Sequence, residues 1–126
     1  HRHMHPPKIF EKEYTLCLIL WDKEPIRLRD LARLCETELD WKTTTTYTVV
    51  KRLCDRGILR NEDSVITSLV SREEAQAAEI EELVDTKFQG SLPAFFAAFT
   101  HRQRLSAEEI DELQAMIDRA REEGGK

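Results

Sequence analysis

Apolar residues recur at helical spacing in three consecutive stretches of the N-terminal half, and they predict three helices. The stretches are residues 11–21, 27–37 and 41–57, each with a stripe at or near the i, i+3, i+4, i+7 spacing. Gly57 can adopt the left-handed conformation that commonly follows a helix, so the third helix is expected to end there. The stripes consist of Tyr14, Cys17, Leu18 and Trp21, then Leu28, Leu31, Leu34 and Cys35, and then Val49, Val50, Leu53 and Cys54.

The apolar period changes after the third helix and indicates a small β-hairpin. Residues 58–61 and 65–70 are short β-capable runs, and residues 62–64 separate them. Another short extended piece is expected at Ile26. Three helices followed by a hairpin is the order of a winged helix-turn-helix domain, in which the second and third helices dock on DNA and the hairpin is the wing.

Residues 71–126 predict three further amphipathic helices. Two Ser-x-x-Glu capping boxes, at residues 71–74 and 106–109, open the first and the last of them. Ser91, followed by Pro93 near the first turn, opens the short helix between them.

The apolar stripes of these last helices have few residues with which to build a core of their own. Three phenylalanines within five residues are too much apolar surface to leave in water. We therefore expect the stripes to be buried against the same helices of a second chain, with packing on the chain's own N-terminal part as the alternative. The candidate dimerisation residues are Ile80, Leu83, Val84, Phe88, Phe95, Phe96, Phe99, Ile110, Leu113 and Ile117.

These patterns together predict a mainly α fold with a small β-hairpin. The expected divisions are a disordered N-terminus over residues 1–8, a winged-helix DNA-binding domain over 9–70 and a three-helix dimerisation region over 71–126. The first residues read as part of an expression tag, which explains His1, His3 and His5 more simply than a metal site does.

The third helix presents a polar face opposite its apolar stripe, and this face is the candidate DNA-reading surface. Short hydroxyls can approach base edges or phosphates, and two cations lie near the helix end. The run TTTTYTVV also fits a strand, since β-branched residues are poor helix formers. Its continuation into VVKRLCDRG breaks the period of two and favours a helix. The candidate DNA-binding residues are Thr43, Thr44, Thr45, Tyr47, Thr48, Lys51 and Arg52.

The charge distribution separates the two halves of the chain. A net charge of −5 argues against a protein that coats nucleic acid without discrimination. Residues 1–70 carry 12 basic and 11 acidic side chains, whereas residues 71–126 carry 7 and 13. The C-terminal part is therefore expected to face a partner protein or solvent.

No pattern for catalysis or for a cofactor occurs in the sequence. HExxH, Gly-rich phosphate-loop and CxxC motifs are absent, so neither an enzyme nor a metal or cofactor site is expected. Cys17, Cys35 and Cys54 are an odd set on apolar stripes and are expected to be reduced core residues. No apolar run is long enough to cross a bilayer, so the expectation is no membrane insertion and a cytoplasmic location.

These residues resemble the penicillinase repressor family, the BlaI/MecI winged-helix regulators, from about residue 9 to residue 122. The stretch from Glu13 to Trp21 is similar to the family's first helix. Residues 41–57 match its recognition-helix signature, Trp-x-x-x-Thr-x-x-Thr-x-x-x-Arg-Leu-x-x-x-Gly. Residues 90–113 resemble its dimerisation helices.

The resemblance implies a homodimer that binds a palindromic double-stranded DNA operator and represses transcription. In the family, a membrane sensor protease that responds to β-lactam, or to copper in a related branch, cuts the repressor and releases it. The cut lies between an Asn and a Phe, and the matching pair here is Ala98 and Phe99, so a cut at this bond is not expected. The hairpin is shorter than usual and carries Glu62 and Asp63 where members tend to carry basic residues, which argues against wing contact with phosphate.

Two other functions stay open from the residues alone. One is a winged-helix protein-interaction module that does not bind DNA, as the acidic hairpin suggests. The other is a metal or redox sensor built on the three cysteines.

Overall fold

Six helices and three short strands form residues 7–124, the part of the chain that the structure, a computed structural model, describes. The fold is mainly α, as the sequence predicts. The expectations for His1, His3 and His5, and for most of segment 1–8, lie outside the described residues. The elements are α1 (Glu11–Lys23), β1 (Ile26–Arg27), α2 (Leu28–Leu39), α3 (Thr43–Asp55), β2 (Leu59–Glu62), β3 (Val65–Ser68), α4 (Arg72–Lys87), α5 (Leu92–Arg102) and α6 (Ala107–Gly124).

The chain divides into two units within α4, one ending at Glu82 and the other beginning at Leu83. The boundary predicted from the sequence lies at residue 70, before this helix. The start of α4 belongs to the first unit because Ala75 packs in that unit's apolar core. The functional division at residue 70 stays a prediction.

Helix α1 buries a face that overlaps the predicted stripe and is broader than it. Glu13, Leu16, Cys17 and Leu20 follow the i, i+3, i+4, i+7 spacing and are buried together with Ile19, whereas Leu18 is 39% exposed. Tyr14 and Trp21, which were predicted to lie on the stripe, are half-buried beside the core. The predicted stripe is thus confirmed at Cys17, Tyr14 and Trp21 and wrong at Leu18, and it missed Glu13 because only apolar residues were counted.

The three strands form one antiparallel sheet in the order β1-β3-β2. Glu62 pairs with Val65, so the hairpin turn consists of Asp63 and Ser64 alone, with φ of 53° and 67°. Two consecutive positive φ values are the mark of a type I′ turn, which matches the twist of a tight hairpin. The predicted three-residue connection is thus one residue too long, because Glu62 belongs to β2.

An ion pair joins the buried Glu13 to Arg56, the residue that follows α3. Arg56 Nη2 donates to Glu13 Oε1 at 2.6 Å, and Nη1 donates to Oε2 at 2.9 Å. Arg56 Nη2 also donates to the carbonyl of Lys8 at 2.7 Å, and the Phe10 N–H donates to Glu13 Oε1 at 3.0 Å. We call this set of bonds the Glu13–Arg56 clamp. It links segment 8–10, α1 and the end of α3, so Lys8 has a defined place although it falls in the predicted disordered segment.

The predicted helix caps are confirmed. Ser71 and Glu74 exchange side-chain bonds to each other's backbone N–H at 3.0 and 2.8 Å, and Ser106 with Glu109 do the same at 3.0 and 2.9 Å. Ser91 Oγ accepts from the Ala94 N–H at 3.1 Å at the start of α5. Local side-chain chemistry therefore sets where these three helices begin.

The apolar faces of α5 and α6 are open to solvent in the single chain. No residue described in either helix is buried, and Phe99 and Ile117 are 48% and 53% exposed. The Phe88 and Phe95 rings pack edge to face, with their centroids 5.7 Å apart, yet both residues are only half-buried. Among the candidate dimerisation residues Val84 alone is buried, Phe88, Phe95 and Leu113 are half-buried, and Ile80, Leu83, Phe96, Phe99, Ile110 and Ile117 are exposed.

Thr46 generates a prediction about stability, because it is fully buried on the inner face of α3. Its hydroxyl has no hydrogen-bond partner by ordinary geometry among residues 7–124, and the Cys35 thiol, its polar neighbour on α2, is a weak acceptor. Replacing Thr46 by Val keeps the shape and removes the poorly satisfied hydroxyl. We expect the free energy of unfolding in urea to stay level or rise by about 1–2 kcal/mol.

Thr46→Ser is the matched control, since it keeps the hydroxyl and removes the methyl. It should lower the free energy of unfolding by about 1 kcal/mol at the same protein concentration. If the Val variant is the less stable of the two, the hydroxyl makes a bond that matters.

The clamp generates a prediction about pH. Hydrogen bonds from Arg56, opposed by burial, hold the pKa of Glu13 below its ordinary value of 4.5. A carboxyl whose pKa is lower in the folded than in the unfolded state stabilises the fold above the unfolded pKa, and this contribution disappears as pH falls through the folded pKa. The difference in free energy of unfolding between wild type and Glu13→Gln should be about 2 kcal/mol near neutral pH.

That difference should shrink as pH falls below about 4.5, because a protonated Glu13 resembles glutamine. Denaturant melts of both proteins between pH 7 and pH 3 measure it. A difference that stays constant or grows on acidification would contradict a stabilising charge on Glu13.

Candidate DNA interface

Helices α2 and α3 form a helix-turn-helix whose turn is residues 40–42. Asp40 ends α2 in the left-handed conformation with φ of 58°, and the Trp41 N–H donates to the Cys35 carbonyl at 3.3 Å. The half-buried Trp41 packs against the core, and the Lys12 ammonium lies 5.2 Å from its ring centroid. The turn thus fixes where α3 begins relative to α1 and α2.

Helix α3 has one buried face and one exposed face. Thr46, Val49, Val50 and Leu53 are buried, and Cys54 is partly buried against them. Thr46 was missing from the predicted stripe because threonine reads as polar. Its position, three and four residues before Val49 and Val50, is the signal that places it on the same face.

The sequence-predicted DNA-binding residues lie on the exposed face of α3. Tyr47 is 42% exposed, and the other predicted positions are exposed except Thr45, which is half-buried. The structure therefore brings hydroxyls, one phenol and two cations onto one solvent-facing surface. That exposed set comprises Thr43, Thr44, Tyr47, Thr48, Lys51 and Arg52.

The start of α3 differs in chemistry from the starts of α4 and α6. Its N-cap residue is Lys42, whose side chain makes no bond to the helix, and its first turn contains no acidic residue. The first turns of α4 and α6 carry acidic pairs, Glu73 with Glu74 and Glu108 with Glu109, whose second members belong to the capping boxes. Free N–H groups and the positive end of the helix dipole suit an anion rather than a cation.

The cations of this face are only weakly engaged within the chain. Lys51 Nζ lies 3.4 Å from Asp55 Oδ2, and both side chains are largely exposed. An exposed ion pair of this kind contributes about 0–1 kcal/mol, so Lys51 can exchange its partner for a phosphate at little cost. The exposed hairpin tip, by contrast, presents Glu62 and Asp63.

Burial raises the pKa values of all three cysteine thiols, Cys17, Cys35 and Cys54. The pKa of Cys17 rises to about 12. All three are free thiols, and no group of three His, Cys, Asp or Glu side chains able to hold a metal occurs in the described residues. Protonated, desolvated thiols are poor nucleophiles and poor metal ligands, which disfavours the sensor alternative.

No helix within residues 7–124 is both long and apolar enough to cross a membrane.

Comparison with known proteins gives consistent matches over nearly the whole chain. The family model described as Penicillinase repressor matches residues 9–119. The methicillin resistance regulatory protein MecI of Staphylococcus aureus is 22% identical over 116 residues, which cover 89% of this chain and 94% of that protein. A penicillinase repressor of Bacillus licheniformis is also 22% identical, covering 89% of this chain and 91% of its own length. With the winged-helix arrangement and a family match from residue 9 to residue 119, the chain belongs to the penicillinase repressor family.

Proposed function

We propose that this protein is a transcriptional repressor that binds a palindromic operator in double-stranded DNA as a homodimer. The observation that carries the proposal is the exposed face of α3, where hydroxyls and cations lie opposite the buried residues Val49, Val50 and Leu53. The names of the two relatives, a resistance regulatory protein and a penicillinase repressor, support it.

The side chains of α3 divide between two kinds of DNA contact. Thr44, Tyr47 and Thr48 lie in the first part of the helix, the part that reaches base edges when a recognition helix enters the major groove. Lys51 and Arg52 lie nearer the helix end and would neutralise phosphates. The helix start, with its uncapped Lys42, suits a further phosphate.

The homodimer is supported by the apolar faces of α4, α5 and α6. Large apolar side chains on each of these helices stay exposed in the single chain, and exposed apolar surface of this extent marks an interface. A two-fold dimer would present two copies of α3 to two half-sites about one helical turn, roughly 34 Å, apart. This is the physical reason for a palindromic operator.

The wing is expected to add little to affinity. Glu62 and Asp63 stand at and beside its tip, and carboxylates there would be repelled by the phosphate backbone. The proposal therefore assigns binding mainly to α3 and the turn before it.

The proposed mechanism does not include cleavage of the Ala98–Phe99 bond by the family's sensor protease. Ala98 and Phe99 lie inside α5, which runs over Leu92–Arg102, so α5 would have to open locally before a protease could bind the bond in extended form.

Neither catalytic activity nor a cofactor is part of the proposed function. As an operator-binding protein it would work beside the chromosome, which implies a cytoplasmic location.

The DNA contacts are tested by replacing Lys51 and Arg52 together with Ala. An operator is first obtained by genomic footprinting with the purified protein. The double variant should bind it more weakly, and the slope of log K against log salt should fall by about 1.8, since each lost phosphate contact removes about 0.9. Fluorescence anisotropy over a salt series measures both effects.

Arg119→Ala with Arg121→Ala is the matched control, because it removes the same charge from exposed positions of α6. It should leave the salt slope unchanged. A slope that is unaltered in the Lys51 and Arg52 variant would contradict their role, and a purified protein with no operator would favour the protein-interaction module instead.

The dimer is tested by sedimentation of the full chain at micromolar concentration. Wild type should sediment as a dimer, because the exposed stripes of α4 and α6 need a partner to be buried. Replacing Leu113 or Ile117 by Glu should yield a folded monomer that binds the operator weakly, since each monomer then reaches only one half-site. Asp118→Lys, a charge change on the same helix outside the apolar stripe, is the control that should remain dimeric.

A wild-type monomer under those conditions would remove the basis for the dimer.

A further inference from the structure

We infer that Glu13 and Arg56 are positioning residues for operator recognition: the Glu13–Arg56 clamp sets the orientation of α3 on the domain. The inference rests on the proposed DNA binding by α3 and adds a specificity role for two residues outside the reading face. Neither residue belongs to the candidate DNA-binding set.

The clamp acts at the end of α3, where the chain leaves the helix for the wing. The Gly57 N–H donates to the Cys54 carbonyl at 3.0 Å and the Ile58 N–H donates to the Leu53 carbonyl at 2.9 Å. This is the paired bond pattern of a Schellman cap, with Gly57 in the left-handed conformation at φ of 80°. The cap holds the backbone at Arg56, so that a force on its side chain is transmitted to α3.

The clamp restricts the rotation of α3 in a way that the apolar core does not. The contacts of Val49, Val50 and Leu53 with the core are apolar and tolerate small rotations of α3 about its axis. A guanidinium and a carboxylate joined by two parallel bonds are held in one plane, which restricts such rotations. Buried ionic groups add little to net stability and are retained in some proteins because they specify one arrangement.

The N-terminal segment completes the clamp. The Lys8 carbonyl accepts a third bond from Arg56, the Phe10 N–H donates to Glu13, and the guanidinium lies 5.4 Å from the Phe10 ring centroid. Side-chain exposures are 9% for Glu13 and 31% for Arg56, so the pair is shielded and its partners are fixed. The end of α3 is consequently attached to α1 and to the segment before it.

Charge and geometry have opposite consequences when Glu13 is changed, and this separates positioning from electrostatics. Glu13 is the anion that faces Arg56 and also acts on Arg52. Its replacement by Gln therefore leaves more positive charge near α3, which favours DNA of any sequence. Loss of orientation affects only the base contacts that distinguish the operator.

The test compares the affinities of the full-length dimer for the operator and for a scrambled duplex of equal length. Measurements are made at one salt concentration and at a temperature where circular dichroism shows every variant to be folded. Glu13→Gln should reduce the ratio of the two affinities about tenfold through weaker operator binding, while scrambled-duplex binding stays level or rises. Arg56→Lys, which keeps the charge and loses the paired bonds, should reduce the ratio as well.

Glu24→Gln is the matched control. Glu24 accepts bonds from the Ser68 N–H at 2.7 Å and from the Ser68 hydroxyl at 2.9 Å, so the same chemical change loosens α1 from β3 without touching α3. It should lower thermal stability and leave the affinity ratio at the wild-type value. A ratio reduced equally by Glu24→Gln would show a general effect of lost stability and overturn the inference.

The remaining outcomes are also decisive. An unchanged ratio in folded Glu13→Gln and Arg56→Lys, beside a wild type that discriminates, would overturn the positioning role and leave the proposed function intact. A wild type that binds both duplexes equally would overturn the proposed function and this role with it. If Glu13→Gln does not fold, the affinity ratio of Arg56→Lys alone decides whether the clamp has the positioning role.

Discussion

Burial of one face of α3 against α1 and α2 is the constraint on which the rest of the first unit depends. A run of four threonines is a poor helix former, because each β-branched side chain loses rotamer freedom against the preceding turn. The helix forms because Val49, Val50 and Leu53 find a core that only the helical spacing lets them reach together. The same rotation that buries these residues turns Tyr47, Thr48, Lys51 and Arg52 outward. The polar surface of α3 is thus a geometric consequence of its packing. A change in the spacing of its apolar residues would disrupt both the core and the candidate DNA-binding face.

Much of this could be predicted from the sequence where the signal is local. The capping boxes at Ser71 and Ser106 and the glycine stop at Gly57 are short-range chemistry, and the structure shows each of them. The burial of Glu13 in α1 could not be predicted, because it depends on a partner 43 residues away. The predicted hairpin turn was one residue too long. The pairing of Glu62 with Val65 is decided by the register of the strands and not by residue type. In the candidate site, the exposed face of α3 could be predicted from the helical spacing of its apolar residues. The Glu13–Arg56 clamp could not be predicted, because it depends on tertiary contacts.

The second unit shows the opposite balance between local and tertiary forces. Its helices are well capped, yet among the described residues of α5 and α6 none is buried. Helices of this length are marginal in water without a packed apolar face, so capping alone does not account for them. Their acidic side chains disfavour nonspecific association, while the exposed apolar stripes are the surface that the proposed dimer would bury. Tertiary packing within these helices therefore supplies less of their burial than it does in the first unit.

The two buried polar residues around α3 show how this domain trades stability for arrangement. Thr46 faces α2 with a hydroxyl that finds only a thiol, and Glu13 faces the end of α3 with a charge that is fully paired. Valine in place of Thr46, or apolar residues in place of both Glu13 and Arg56, would pack at least as well, so burial energy explains neither polar group. The pairing of Glu13 differs in kind, because its two bonds to Arg56 have a plane and a direction, whereas the contact of Thr46 has neither. Directional bonds are what a recognition helix needs beyond a core, since base contacts tolerate only small errors of orientation. The departures from a purely apolar interior thus gather around α3, the helix to which the proposed function assigns base recognition.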